Sequence, residues 1–136
     1  MKKIFSYIIV AVALLCMAAC ASDDEDEVVI VEPVHQTVVM FFPWSTNLKS
    51  AFQRNVQDFS DVIARRGLKG ERVVVCMATT STDAALFELK VKKGKCVADT
   101  LRRYKNRTFT SASSMASLFS DIKTMAPAEE YGLIVG

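Results

Sequence analysis

The residues able to do covalent chemistry are few. One histidine, His35, and four cysteines, Cys16, Cys20, Cys76 and Cys96, are the only imidazole and thiols in 136 residues. A thiol beside an imidazole is the arrangement of a cysteine peptidase, in which the ring takes the proton and the thiolate attacks a carbonyl. His35 and Cys76 would have to meet for that. His35 comes just before an apolar run, and Cys76 lies inside a second one. If the runs are neighbouring parallel strands, the imidazole sits at the amino end of the sheet. Cys76 then lies two or three residues further along, at about 3.3 Å each, with its side chain turned into a helix layer. The pair is expected not to form, leaving His35 exposed in a linker and Cys76 in the core.

Other chemistry is equally thin. One histidine, no close cysteine pair and no spaced carboxylate set give no metal site, and no cofactor is expected. Ser45 and Thr46 precede a helix, where backbone N–H groups can hold an anion. The loop has no glycine to let a phosphate approach, so Thr46 or Asn47 is expected to cap the helix instead. Thr79-Thr80-Ser81-Thr82-Asp83 offers hydroxyls without a nearby base and reads as a turn.

These residues hang on a recognisable set of elements. Residues 36–42 form a continuous apolar run, as a strand buried on both faces does. A helix over 47–66 follows, with Leu48, Ala51, Phe52, Val56, Phe59, Val62 and Ile63 as one apolar stripe. Residues 72–78 make a second buried strand, and strand-helix-strand predicts a right-handed parallel crossover. Residues 86–92 then alternate, with Phe87, Leu89 and Val91 inward and Glu88, Lys90 and Lys92 outward, and Lys93-Gly94 turns the chain into a return over 96–101. This hairpin is expected to decorate one end of the sheet. Thr110 or Ser111 caps a second helix with Met115, Leu118, Phe119, Ile122 and Met125 inward, Pro127 ends it, and 131–135 is a third parallel strand. The expected class is α/β: three parallel strands, two flanking helices and an inserted β-hairpin.

The front of the chain is different material. Lys2 and Lys3, an apolar stretch over 4–15 and small residues ending at Cys20 resemble a bacterial lipoprotein signal. Cys20, after Met17-Ala18-Ala19, is the expected lipid attachment site, since Cys16 follows the bulky Leu15. The divisions are then a signal peptide over 1–19, a lipid-anchored tether over 20–35 and a folded body over 36–136. The alternative is a plain membrane anchor, because 4–21 is uncharged and barely long enough to span. Ser22-Asp23-Asp24-Glu25-Asp26-Glu27 is a solvated, extended run. It also resembles a surface-export tag, which implies an exported outer-membrane lipoprotein facing outward, its membrane partner reached through the lipid on Cys20.

Behind that acidic leash, residues 33–136 carry 15 Lys and Arg against 9 Asp and Glu. Lys90, Lys92, Lys93, Lys95, Arg102, Arg103, Lys105 and Arg107 form a basic cluster. No aromatic residues interleave with them, so a solvated face is expected and no nucleic-acid partner. Cys76 and Cys96 could bridge in an exported protein, but a thiol inside an apolar strand is a common core residue and no disulfide is expected.

Taken together, "TVVMFFPWSTNL", the helix to Arg66, "RVVVCMA", the hairpin, "TSASSMASLFSDIKTMAP" and "EEYGLIVG" resemble the amino-terminal half of the clostripain family of cysteine peptidases. The resemblance covers about residues 36–136 and rests on order and spacing. It implies an incomplete caspase-like three-layer sandwich. It places Ser45, Thr46 and Asn47 on the rim of the family's active site, in a structural role. In that family the strand matching 131–136 leads into a loop with the catalytic His before Gly, and the nucleophilic Cys ends the next strand. Neither position falls within 1–136. The resemblance therefore implies the front part of an endopeptidase that cleaves after basic residues, inactive alone, with a second chain as one source of the remaining sheet. The family's strand order would make the first strand central and leave Leu133-Ile134-Val135 as an uncharged, unpaired edge. Two other readings stay open: a small exported α/β lipoprotein with a binding or structural role, and a polyanion binder using the basic hairpin.

Overall fold

A computed structural model describes residues 32–136. The signal segment 1–19, the lipid site Cys20 and the acidic part of the tether lie outside the described residues. The elements are β1 (Val34–Phe42), α1 (Lys49–Arg66), β2 (Arg72–Ala78), β3 (Ala84–Lys92), β4 (Lys95–Tyr104), α2 (Ala112–Met125) and β5 (Ala128–Val135). They build one five-stranded mixed sheet in the order β4-β3-β2-β1-β5.

The α/β class and the three parallel strands are as the sequence predicts. β1 lies between β2 and β5 and pairs parallel with both, Phe41 standing level with Cys76 on one side and Val135 on the other. The hairpin corrects the expectation. It does not decorate an end of the sheet; β3 pairs antiparallel with β2 along its length and β4 with β3, so the hairpin extends the sheet sideways. The reason lies in Ala84, Ala85 and Leu86, which are buried and give β3 an apolar first half that needs a neighbour on its edge. Lys93 and Gly94 both take positive φ, 51° and 73°, the pair of left-handed residues that a two-residue hairpin turn requires.

Alternation along β1 sends its side chains to two cores. Val39 and Phe41 join Val74, Cys76 and Leu86 beneath Leu118 and Ile122 of α2. Met40 and Phe42 join Val73, Val75 and Leu89 beneath Phe52 and Ile63 of α1. A strand covered on both sides has few polar positions to spare, which is why residues 38–42 of β1 and 73–78 of β2 read as unbroken apolar runs.

The helices differ in how well they match expectation. α2 behaves as predicted: Ser111 accepts from the Ser114 N–H and Ser114 reaches back to the Ser111 N–H, a full capping box. Leu118 and Ile122 are buried, with Met115, Phe119 and Met125 partly so. In α1 only Phe52 and Ile63 are fully buried, with Val56 packed beside them, whereas Leu48, Phe59 and Val62 are exposed. The inward positions 52, 56 and 63 are spaced by four and seven, a single narrow row, and the other apolar residues fall on its margins. Neither Thr46 nor Asn47 caps α1. The N-cap position is Leu48, which has no side-chain acceptor, and the Thr46 hydroxyl donates to Asn47 Oδ1 instead. The Thr46 carbonyl accepts from Lys49 N–H, a turn that carries the chain past the point where a hydroxyl could reach the first helical donors.

A second correction concerns Glu88, expected on the wet side of β3. It is buried, opposite Val74, with Arg72 Nε at 3.0 Å and Lys90 Nζ at 3.2 Å closing over it. Val91, expected inward, is exposed near the end of the hairpin.

Candidate functional site

The thiols and the imidazole do not assemble. Phe41 stands level with Cys76, and His35 lies six positions before Phe41 on β1. Six residues of strand are roughly 20 Å, more than the two or three residues expected from the sequence. His35 is exposed and its Nδ1 lies 2.9 Å from Glu129 Oε2 on β5, which raises its pKa above 6.5. It belongs to the first strand and not to a linker. Cys76 is buried in the α2-side core, and burial pushes its thiol up to about 12. A thiol so placed stays protonated at neutral pH and is no nucleophile. Cys96 packs against the other core, and both cysteines are free. Among the described residues no three metal-ligating side chains gather.

Ligands in open parallel sheets collect past the carboxyl ends of the strands. There the chain forms a cavity of about 230 Å³. Its floor is Cys76, Ala78, Ala84 and Phe109; Trp44, Ser45 and Thr46 form one wall, and residues 80–83 and 107–110 the others. Ser45 and Thr46 are thus brought to the cavity, and Asn47 is not among the residues that line it.

The walls are tied to one another. Lys49 Nζ donates to the Thr79 carbonyl at 2.8 Å, joining the start of α1 to the end of β2. Thr80 Oγ1 accepts from Thr82 and Asp83 N–H groups, the turn expected for this segment. Asp83 Oδ2 accepts from Lys105 Nζ at 2.9 Å and Oδ1 from Asn106 N–H at 3.0 Å. The Lys105 bond, helped by Asn106, holds the Asp83 carboxyl below its usual range. Arg107 lies 5.5 Å from the Tyr104 ring centre and 5.6 Å from that of Phe109. Asp83 and Lys49 as clamps were not legible in the sequence, because each partner is at least twenty residues away. The basic cluster also looks different in three dimensions: Lys90 and Lys92 reach Asp99, Arg102 reaches Asp121 and Lys105 reaches Asp83.

Beside the cavity, β5 ends against β1. Gly136 N–H donates to the Phe41 carbonyl, and a Cβ at Gly136 would come within 2.8 Å of the Phe42 and Phe52 rings. Those rings stack at 4.6 Å. Glycine is what lets β5 close against them. Among the described residues the outer side of β5 is an edge, and Leu133, Ile134 and Val135 are exposed on it, as the family's strand order implied.

No family model matches the chain, and no curated protein does. Solved structures do. The chain is similar to a clostripain from Bacteroides thetaiotaomicron in complex with the peptide inhibitor BTN-VLTK-AOMK, at 39% identity and a TM-score of 0.73. That match covers 77% of this chain and 90% of the other. This chain belongs to the clostripain, or C11, family of cysteine proteases. A secreted C11 protease of the same organism, iotapain, matches at 39% identity and a TM-score of 0.75. This C11 chain spans 30% of that protein's length, the match covering 78% of its own. An inactive zymogen C11 protease from Parabacteroides distasonis is 20% identical with a TM-score of 0.68, a likeness of fold.

Proposed function

We propose that residues 36–136 are the amino-terminal part of an exported, lipid-anchored C11 endopeptidase and do not themselves cut peptides. Catalysis in the complete protein would come from a histidine loop following Gly136 and a cysteine at the end of the next strand. The thiolate would attack the peptide carbonyl while the imidazole first takes and then returns the proton. In this reading α1 and α2 are the outer layers of a caspase-like three-layer sandwich. Ser45, Thr46 and Asn47 shape the loop at the rim, and Cys20 carries the lipid that holds the protein at the outer membrane surface.

The observation that carries this reading is the 39% identity shared with the clostripain of the inhibitor complex and with iotapain, of whose length the chain spans 30%. Its complement is chemical: the one imidazole and the buried thiol among the described residues lie roughly six residues of strand apart, about 20 Å. Cleavage after basic residues is supported by the inhibitor named in that complex, whose peptide VLTK ends in lysine.

The test uses the expressed chain, lysine- and arginine-containing peptide substrates and a thiol-reactive peptide probe. No turnover and no labelling of the buried Cys76 are expected from residues 1–136. Turnover, or labelling of Cys76, would overturn the reading. The nucleotide sequence after Gly136 gives an independent check, a continuation encoding His-Gly and later Asp-Ala-Cys being expected.

A further inference from the structure

We propose that the cavity past the carboxyl ends of β1 and β2 is a binding subsite for one uncharged, apolar side chain of an extended peptide. This deepens the endopeptidase reading and rests on it for the peptide nature of the ligand. Size sets the first limit. Pockets that enclose whole small molecules run to roughly 300–1,000 Å³, and this one holds about 230 Å³, room for a side chain and not for a larger ligand. The space exists because its floor is built from small residues, Cys76, Ala78 and Ala84, beside the single ring of Phe109.

Charge sets the second limit. The two ionised groups in the lining are already engaged. Both Asp83 oxygens accept bonds from Lys105 and Asn106, and the Arg107 guanidinium lies against Tyr104 and Phe109. A lysine or arginine side chain entering here would find no free carboxylate and would lose water without compensation. Any preference for a basic residue must therefore be supplied elsewhere, and this cavity reads a different position of the peptide. The hydroxyls of Ser45, Thr46, Ser81 and Thr108 at the walls suit the amides that flank such a side chain. The location fits as well. β1 delivers Phe42 to Gly136 and, directly afterwards, Trp44 and Ser45 to the cavity, so the end of β5 and the cavity share one end of the sheet.

Trp44 is the only tryptophan of the chain and half exposed at the rim, which makes its emission the readout. The full chain is titrated with acetyl-Ala-Leu-Ala-amide, acetyl-Ala-Lys-Ala-amide and acetyl-Ala-Gly-Ala-amide. A saturable change is expected with the leucine peptide, at least about tenfold weaker with lysine or glycine. Ser81 is exposed at the mouth, and Ser81→Phe should weaken the leucine response at least about tenfold with an unchanged melting temperature. Ser45→Phe, from the opposite wall, decides the matter should Ser81→Phe fail to melt cooperatively. An absent or non-saturating change, equal responses to leucine and lysine, or an undiminished response in a folded blocked variant overturns the subsite. Those outcomes are independent of turnover by the chain, so a failed subsite and a failed peptidase reading are told apart.

Discussion

Arg72 and Glu88 face each other across β2 and β3, Nε to Oε1 at 3.0 Å, with side chains only 14% and 11% exposed. Lys90 joins the same carboxylate from the next position on its face of β3. An ion pair this enclosed is costly to break from one side, because the partner keeps its charge and loses its counterion. Glu88→Ala is expected to destabilise the fold by about 3 kcal/mol, read as a lower urea midpoint at unchanged slope. A surface glutamate, the role its place in the alternating pattern suggested, would cost under about 0.5 kcal/mol.

The two helix starts predict opposite outcomes for similar substitutions. Ser111→Ala removes the side-chain acceptor of the Ser114 N–H, one half of the capping box, and should cost about 1 kcal/mol. Thr46→Ala and Asn47→Ala remove no helix cap and should stay within about 0.5 kcal/mol. Thermal unfolding of the three variants is the measurement. A Thr46→Ala loss equal to that of Ser111→Ala would contradict the geometry at α1.

Alkylation should separate the two body cysteines. Burial pushes the Cys76 thiol up to about 12, so at pH 8 almost none of it is thiolate, and its sulfur lies in the core. Iodoacetamide is expected to modify the half-exposed Cys96 in the folded chain and to reach Cys76 only in denaturant. Mass spectrometry of the peptides reports the order.

His35 carries a small, signed pH dependence. Its pKa is raised above 6.5, first by the hydrogen bond to Glu129 and then by the charges of Glu129 and Glu130. A raised folded pKa contributes stability that is complete below the unfolded value and fades as pH rises through the folded one. The window therefore opens at 6.5 and extends upward. Glu129→Gln should bring the His35 ring titration, followed by proton NMR, back towards 6.5.

The open side of β5 predicts self-association. Leu133 and Val135 are 52% and 64% exposed on a strand whose outer backbone groups have no neighbour in the sheet among the described residues. Nothing charged between Tyr131 and Val135 discourages another strand from adding there. Leu133→Lys should raise solubility and shift sedimentation towards the monomer. Glu129→Lys, at the start of the strand, should not.

Much of this protein was written in residue order. Strand-forming runs at β1 and β2 announce themselves because a strand covered on both faces must be apolar throughout, and the match at Arg72–Ala78 is complete. The Ser111 cap and the Leu118–Ile122 row were legible for a similar reason, since capping and helical spacing act within a few residues. The separation of His35 from Cys76 was legible in direction but not in length. Where partners are remote, local pattern failed: Glu88 reads as solvated until Arg72 is brought beside it, and Asp83 reads as a turn residue until Lys105 arrives from the segment after β4. Whether the hairpin adorns the sheet or widens it depends on which edge of β2 is free, a fact of topology. Tertiary structure alone made the cavity, because small side chains from separate strands leave a space only once those strands lie side by side.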